Sequence, residues 1–224
     1  MKSILTRKLN GLLLGLTIGV ITVGMIGQAL ADPVYWASDW TVETPDHFAT
    51  CTVEQDGIVV DVSYAGHLVE VAWPPHWVEG DPPPYTGNPV VDNAPAWGIM
   101  LVMANTDAPE YANMLTFSSP LIDPLIALYS VGRPNLAVPY EFDQSFTLLS
   151  EGAGFGGNGY FEIDGNTLTG YEGHGVIQFY GAISAIGWNN PVTENHHGFA
   201  LGVPDETVIG TVSKTWSGVK ALYR

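Results

Sequence analysis

An all-β chain, folded as a single β-sandwich or jelly-roll-like domain, is what this sequence predicts, on three observations. Many short runs alternate apolar with polar residues, the period-two signature of half-buried strands. The 26 glycines and 16 prolines are spread between those runs as turn punctuation instead of gathering in low-complexity tracts. No heptad or 3.6-residue apolar stripe precedes the C-terminal tail. Short strands at this spacing need a second sheet to cover their apolar face, which is the sandwich solution.

In chain order, residues 1–31 read as a signal peptide. Lys2, Arg7 and Lys8 form a basic start, 11–27 carries no charge, and Ala29-Leu30-Ala31 is a small-x-small cleavage pattern. The apolar stretch is also long enough to serve as an uncleaved anchor. Cleavage is the expected outcome and leaves no stable membrane span. The address is then secreted or periplasmic, with the cell surface as a further option. The predicted domain runs over 32–204, followed by a short tail, 205–224, with one or two amphipathic turns around Trp216 and Lys220.

Within the domain, Thr50-Cys51-Thr52-Val53 looks like a strand. Runs 57–64 and 67–73 alternate cleanly, and Ala65-Gly66 between them predicts a two-residue hairpin. Further strands are predicted at 97–103, 113–117, 125–131, 137–142, 145–149, 159–163, 176–180, 182–188 and 198–203. Asp164-Gly165-Asn166 is a tight turn. One segment breaks the rhythm: 74–95 holds seven prolines and no convincing strand. A connection that long is usually functional or disordered, and its aromatic content argues against simple disorder.

Charge excludes several function classes. Residues 32–224 keep all 23 acidic side chains but only four of the seven basic ones: Arg133, Lys214, Lys220 and Arg224. A surface of that sign repels phosphate, so nucleic acid and anionic lipid headgroups are not expected partners. Cys51 is the only cysteine, which rules out an intrachain disulfide. It reads as a small buried hydrophobe, since no basic neighbour in sequence would activate a thiolate. Arg133, between Gly132 and Pro134, is expected in an exposed turn, paired with Glu141, Asp143 or Asp123.

Residues 111–203 carry a recognisable series. It runs through Leu115-Thr116-Phe117-Ser118, Tyr140-Glu141-Phe142-Asp143-Gln144-Ser145-Phe146, Tyr171-Glu172-Gly173-His174-Gly175 and Glu194-Asn195-His196-His197-Gly198-Phe199. This resembles the ectodomain of uncharacterised secreted bacterial proteins of the PEP-CTERM, exosortase-associated type. The sorting tail of those proteins, a Val-Pro-Glu-Pro-like motif with an apolar span and a basic cluster, is missing before Arg224. Similar sequences also often carry Trp where this one has His196. The resemblance implies a β-sandwich surface protein in contact with extracellular matrix or glycan, and no established reaction.

Two constellations could carry chemistry. Glu172, His174, Glu194 and His197 combine carboxylate and imidazole, the donor types that ligate zinc or a similar ion. The alternative is that they pin turns around the neighbouring glycines. As a hydrolase, the chain would use Glu172 and Glu194 as its catalytic carboxylates, with or without a metal. No nucleophile elbow, phosphate-binding glycine loop or calcium loop is present. No cofactor is expected, although the acidic composition would accommodate a divalent cation. The second constellation is the proline-stiffened loop, where Trp77, Tyr85 and Trp97 could stack on sugar rings while Asp81 bonds hydroxyls. The alternative there is a loop that covers the sheet. The leading expectation is a non-enzymatic module that binds glycan or another extracellular polymer, ahead of the hydrolase.

Overall fold

The computed structural model describes residues 34–44, 48–66, 70–72, 84–85, 98–101, 113–153, 159–192, 194 and 197–204. The predicted signal segment, the C-terminal tail, Trp77, Asp81 and Trp97 lie outside them. The described residues form strands and turns, with no helix. In chain order the strands are β1 (Val34–Trp36), β2 (Thr41–Thr44), β3 (Phe48–Gln55), β4 (Ile58–Ala65), β5 (Glu70–Ala72), β6 (Gly98–Leu101), β7 (Asn113–Ile122) and β8 (Leu125–Val131). They continue with β9 (Val138–Phe142), β10 (Thr147–Gly152), β11 (Tyr160–Asp164), β12 (Thr167–Tyr171), β13 (Gly173–Gln178), β14 (Ala182–Asn189) and β15 (His197–Pro204).

They make two antiparallel sheets packed face to face. The eight-stranded sheet runs β11-β12-β9-β14-β7-β4-β3-β2. The seven-stranded sheet runs β10-β13-β8-β15-β6-β5, with β1 also paired to β15. Alternation builds the interface between them. From β4, Val60, Val62 and Tyr64 face inward while Asp61 and Ser63 face out. The inward side chains meet an aromatic centre: Trp188 stacks on Tyr64 at 5.9 Å between ring centroids and meets Phe199 edge-on at 5.1 Å.

β8 follows another rule. Its run Leu-Ile-Ala-Leu-Tyr is buried at every residue. Ile126 and Leu128 enter the central core, whereas Leu125, Ala127 and Tyr129 join a second apolar layer on the sheet's other face with Val34 and Tyr85. A central strand covered on both sides needs no polar alternation.

Three sequence expectations are corrected. The hairpin at Ala65-Gly66 does not form: β4 pairs with β3 and β7, while β5 pairs with β6 in the opposite sheet. The strand expected to stop at Phe117 continues to Ile122. It does so through an irregularity, because Ala185 pairs with Thr116 but Ile183 pairs with Leu121, so residues 117–120 face Ser184 alone. Pro120 sits in that break, which is where a central strand tolerates proline. Third, Thr167–Tyr171, where the sequence pattern predicts no strand, forms β12. It pairs with both β9 and β11, and the turn at Gly165-Asn166 joins it to β11 as expected.

Candidate functional site

The Glu/His constellation sits where the chain crosses from one sheet to the other. β12 ends at Tyr171 and β13 begins at Gly173, so Glu172 is the corner residue, with a left-handed backbone (φ 62°). Opposite it, β8 carries an extra residue: Gly173 pairs with Val131 and Gly175 with Leu128, leaving Tyr129 and Ser130 across from His174 alone. Ser130 is also left-handed (φ 47°). Neither residue type adopts that conformation cheaply. The strain is offset where the two meet, since the Ser130 hydroxyl donates to Glu172 Oε1 at 2.8 Å. Gly173 has no substitute here, because a side-chain carbon would run into the Phe161 ring.

His174 is fully buried. Its Nδ1 lies 3.0 Å from the Tyr85 hydroxyl and 3.4 Å from the Ser130 amide; the one Tyr85 hydroxyl proton is shared between Nδ1 and the Leu128 carbonyl, 2.7 Å away. The tautomer that sets no donor against another has Nδ1 accepting and Nε2–H directed toward Glu172 Oε1. At 3.7 Å that approach is electrostatic, too long for a hydrogen bond. His174 and then the Ser130 hydroxyl hold the Glu172 carboxyl below the ordinary carboxylate range, against the opposing effect of burial.

Glu194 takes a separate position. Its side chain is 1% exposed; it accepts the Gly132 amide and stands 4.0 Å from Arg133 Nε. Burial, with Glu172 adding like charge, pushes its pKa up to about 7. Arg133 does occupy an exposed turn, closed by backbone bonds between Arg133 and Leu136. Its carboxylate partner is Glu194, however, and not Glu141, Asp143 or Asp123. Sequence distance hid this, since the two groups are 61 positions apart. His197 turns to Tyr140, whose hydroxyl is 2.8 Å from Nδ1, and burial lowers the His197 pKa to about 3.

The four candidate ligands thus divide among three neighbourhoods. Among the described residues, no three His, Cys, Asp or Glu side chains come together in a group that could hold a metal ion. The carboxylates Glu172 and Glu194 are both buried, and each has a structural partner.

From the proline-rich loop, Pro84 and Tyr85 are described, and both are buried. The Ser150 hydroxyl donates to the Pro84 carbonyl at 2.5 Å. The Tyr85 ring packs on Tyr129 at 5.2 Å against the outer side of the seven-stranded sheet. With no exposed surface, that ring offers no face to a sugar, which corrects the expectation that Tyr85 belongs to a surface platform. Cys51 is buried as expected, and burial followed by the nearby Asp39 raises its thiol pKa far above the usual range.

The solvent face of the eight-stranded sheet holds a feature that sequence reasoning missed. An open groove of about 470 Å³ crosses β3, β4 and β7. Its walls carry the hydroxyls of Thr41, Thr50, Thr52, Ser63, Thr116 and Ser118. Two carboxylates, Asp39 and Asp61, stand among them. The groove lies where the sheet is irregular. Beyond the end of β2, Asp39 accepts the Thr52 amide at 3.1 Å and its hydroxyl at 2.8 Å, in place of a strand. At the break in β7, Ser118 Oγ accepts the Asp61 amide at 2.9 Å. Farther along the same seam, the Gln55 amide bonds both the N–H and the carbonyl of Ile122 at 2.8 Å. Side chains here replace ladder bonds, and the sheet surface opens between them. The only advance signal was the count of Thr and Ser at outward positions, which also describes any solvated sheet.

No family model, curated protein or solved structure matches the chain.

Proposed function

We propose that this chain is an exported, non-enzymatic binding module that holds a glycan or similarly hydroxylated extracellular polymer in the groove on the eight-stranded sheet. The observation that carries the reading is the groove's lining. Six hydroxyls and two carboxylates within about 470 Å³ supply donors and acceptors at a volume suited to a small saccharide segment. A sheet presents such groups on a rigid support, so little ordering is required on binding. The hydrolase alternative has less support: Glu172 and Glu194 are buried and spent on the Ser130 hydroxyl and the Gly132 amide.

The test is retention on a polysaccharide panel, with Asp61→Ala and Ser63→Trp as variants. Both side chains point to solvent, so melting temperature should stay nearly constant. The first variant removes an acceptor and the second fills the groove. Retention by the parent on at least one polymer, lost in both variants, is the expected result. Retention unchanged in both variants would place any binding elsewhere and sink the groove as the site.

A further inference from the structure

We propose that the binding surface extends well beyond the groove, as a track for a long polysaccharide bearing ammonium groups that ends on the stacked pair Tyr160–Tyr171. This deepens the glycan reading and rests on it. The pairing register puts the two features on one face. Tyr171 and Thr167 point away from the core on β12, as Leu168 and Gly170 point inward. Thr167 pairs with Glu141, and Glu141 with Asn189; farther along β14, Ala185 pairs with Thr116, and Thr116 pairs with Ser63 in the groove wall. From β12 to β4 is four strand spacings, roughly 20 Å across the sheet, and the register adds about eight residues, roughly 26 Å, along the strands between Tyr171 and Ser63, so the track runs obliquely. Between them the face presents Pro139 and Glu141 on β9, Asn189, Gly187 and Ala185 on β14, and Met114 on β7, whose half-buried side chain beside Gly187 is the one long apolar group a chain laid across the strands must pass over.

The far end is aromatic and accessible. Tyr160 is 48% exposed, and its ring lies 4.8 Å from that of Tyr171 at an interplanar angle of 15°. The Tyr171 hydroxyl donates to Glu162 Oε2 at 3.1 Å, which fixes that ring. A held, near-parallel pair exposes one flat face, the geometry on which a sugar ring packs. A cross-strand pair that merely stabilises the β11–β12 hairpin would look the same, so the experiment must separate the two roles.

Charge selects the polymer class. Asp39 and Asp61 stand at one end of the track, Glu141 along it, and Glu162 beside the tyrosines. Among the described residues Arg133 is the only Lys or Arg, and it belongs to the β8–β9 turn beside Glu194. An acidic face repels uronate or sulfate polymers and attracts a glycan with free amino groups.

The test uses the full chain and a ladder of glucosamine oligomers, from dimer to octamer, followed by calorimetry, with the N-acetylated ladder alongside. Affinity should climb by at least about tenfold from the shortest to the longest oligomer. Tyr160→Ala should remove that gain and leave the shortest oligomers bound as before. Tyr160→Phe, which keeps the ring, should retain it. The acetylated ladder should bind about tenfold more weakly at equal length. A lower melting point in Tyr160→Ala with the length gain intact would show that the pair is structural only. Affinity independent of length would end the site at the groove, and equal binding of both ladders would remove the charge argument. Failure of the parent to bind oligomers of any length, together with no retention on the polysaccharide panel, would overturn the groove reading itself.

Discussion

The corner at Glu172 and the groove at Asp61 are built from the same kinds of polar group put to opposite uses. At the corner, two left-handed residues, two buried carboxylates and a buried imidazole are tied to one another and to backbone amides. Such groups are costly to bury unless satisfied, so their partners are used up in holding the sheet crossing. At the groove, ordinary hydroxyls beside the break in β7 line a solvent-facing cleft. The contrast separates chemical interest from availability. The titratable cluster draws attention in a sequence, yet the unremarked Thr and Ser positions form the surface a ligand can reach.

The largest expected effect belongs to the corner. Gly132 has φ 78°, and a side-chain carbon there would run into the Gly170 carbonyl of β12. Gly132→Ala would also disturb the amide that holds Glu194. We expect a loss of about 3 kcal/mol or more in urea unfolding, from backbone strain and a broken buried bond together. A variant as stable as the parent would contradict the tight crossing described here. Tyr85→Phe keeps the ring but removes the bond to Leu128 and the contact to His174. Its cost should be smaller, about 1–3 kcal/mol, and Tyr85→Ala should cost about 3–5 kcal/mol. Little change in Tyr85→Ala would mean that the ring is not the peg its burial indicates.

Acid–base behaviour sharpens the same comparison. The Glu194 pKa is raised to about 7 in the fold, above its unfolded value, so folding favours its protonated form. Its contribution is full below the ordinary carboxylate pKa and is lost as pH rises through about 7, an effect of up to about 3 kcal/mol. His197 has the opposite sign. Its pKa is lowered to about 3, so its contribution is complete above the ordinary histidine value and is lost as pH falls from there toward 3. The parent should therefore be most stable at mildly acidic pH. Between about pH 5 and 6.5 the two effects oppose each other and the parent should stay nearly level, whereas Glu194→Gln, keeping only the His197 effect, should grow more stable as pH rises over that range. Parallel melting profiles for the two proteins would refute the assignment to Glu194.

Arg133→Ala should have the smallest effect. The pair with Glu194 is long, at 4.0 Å, and the arginine side is 59% exposed, so about 0–1 kcal/mol is expected. A double-mutant cycle with Glu194→Gln giving several kcal/mol would show a stronger contact than this geometry allows.

Much of the sheet layout was legible because local patterning and burial agree. β8 was read at its correct limits, since a continuous apolar run needs cover on both faces and has it. The alternation in β4 likewise matched its two faces. What failed depended on partners distant in sequence. Ala65-Gly66 has hairpin chemistry, but β5 belongs to the other sheet, and no local signal states which sheet a strand joins. The alternation of β7 predicts a strand only to Phe117, because residues 117–120 form a break opposite Ser184 before pairing resumes at Leu121. Glu172, His174, Glu194 and His197 were rightly singled out as unusual, but their grouping in sequence does not carry over to one site. The groove was invisible because its walls come from β3, β4 and β7, with Asp39 and Thr41 from before them, and each contributes only a common hydroxyl or carboxylate.

The central claim is that stability lives at the corner and binding at the groove. The most direct measurement pairs Glu172→Gln with Asp61→Ala and records, for each, melting temperature and retention on the polymer that the parent binds. Glu172→Gln should melt lower, by roughly 1–2 kcal/mol of stability, and bind as the parent does, because it weakens only the link to Ser130 and His174. Asp61→Ala should melt with the parent and lose retention. The reverse pattern, a stable Glu172→Gln that no longer binds beside an Asp61→Ala that does, would contradict the account and return the site to the buried carboxylates.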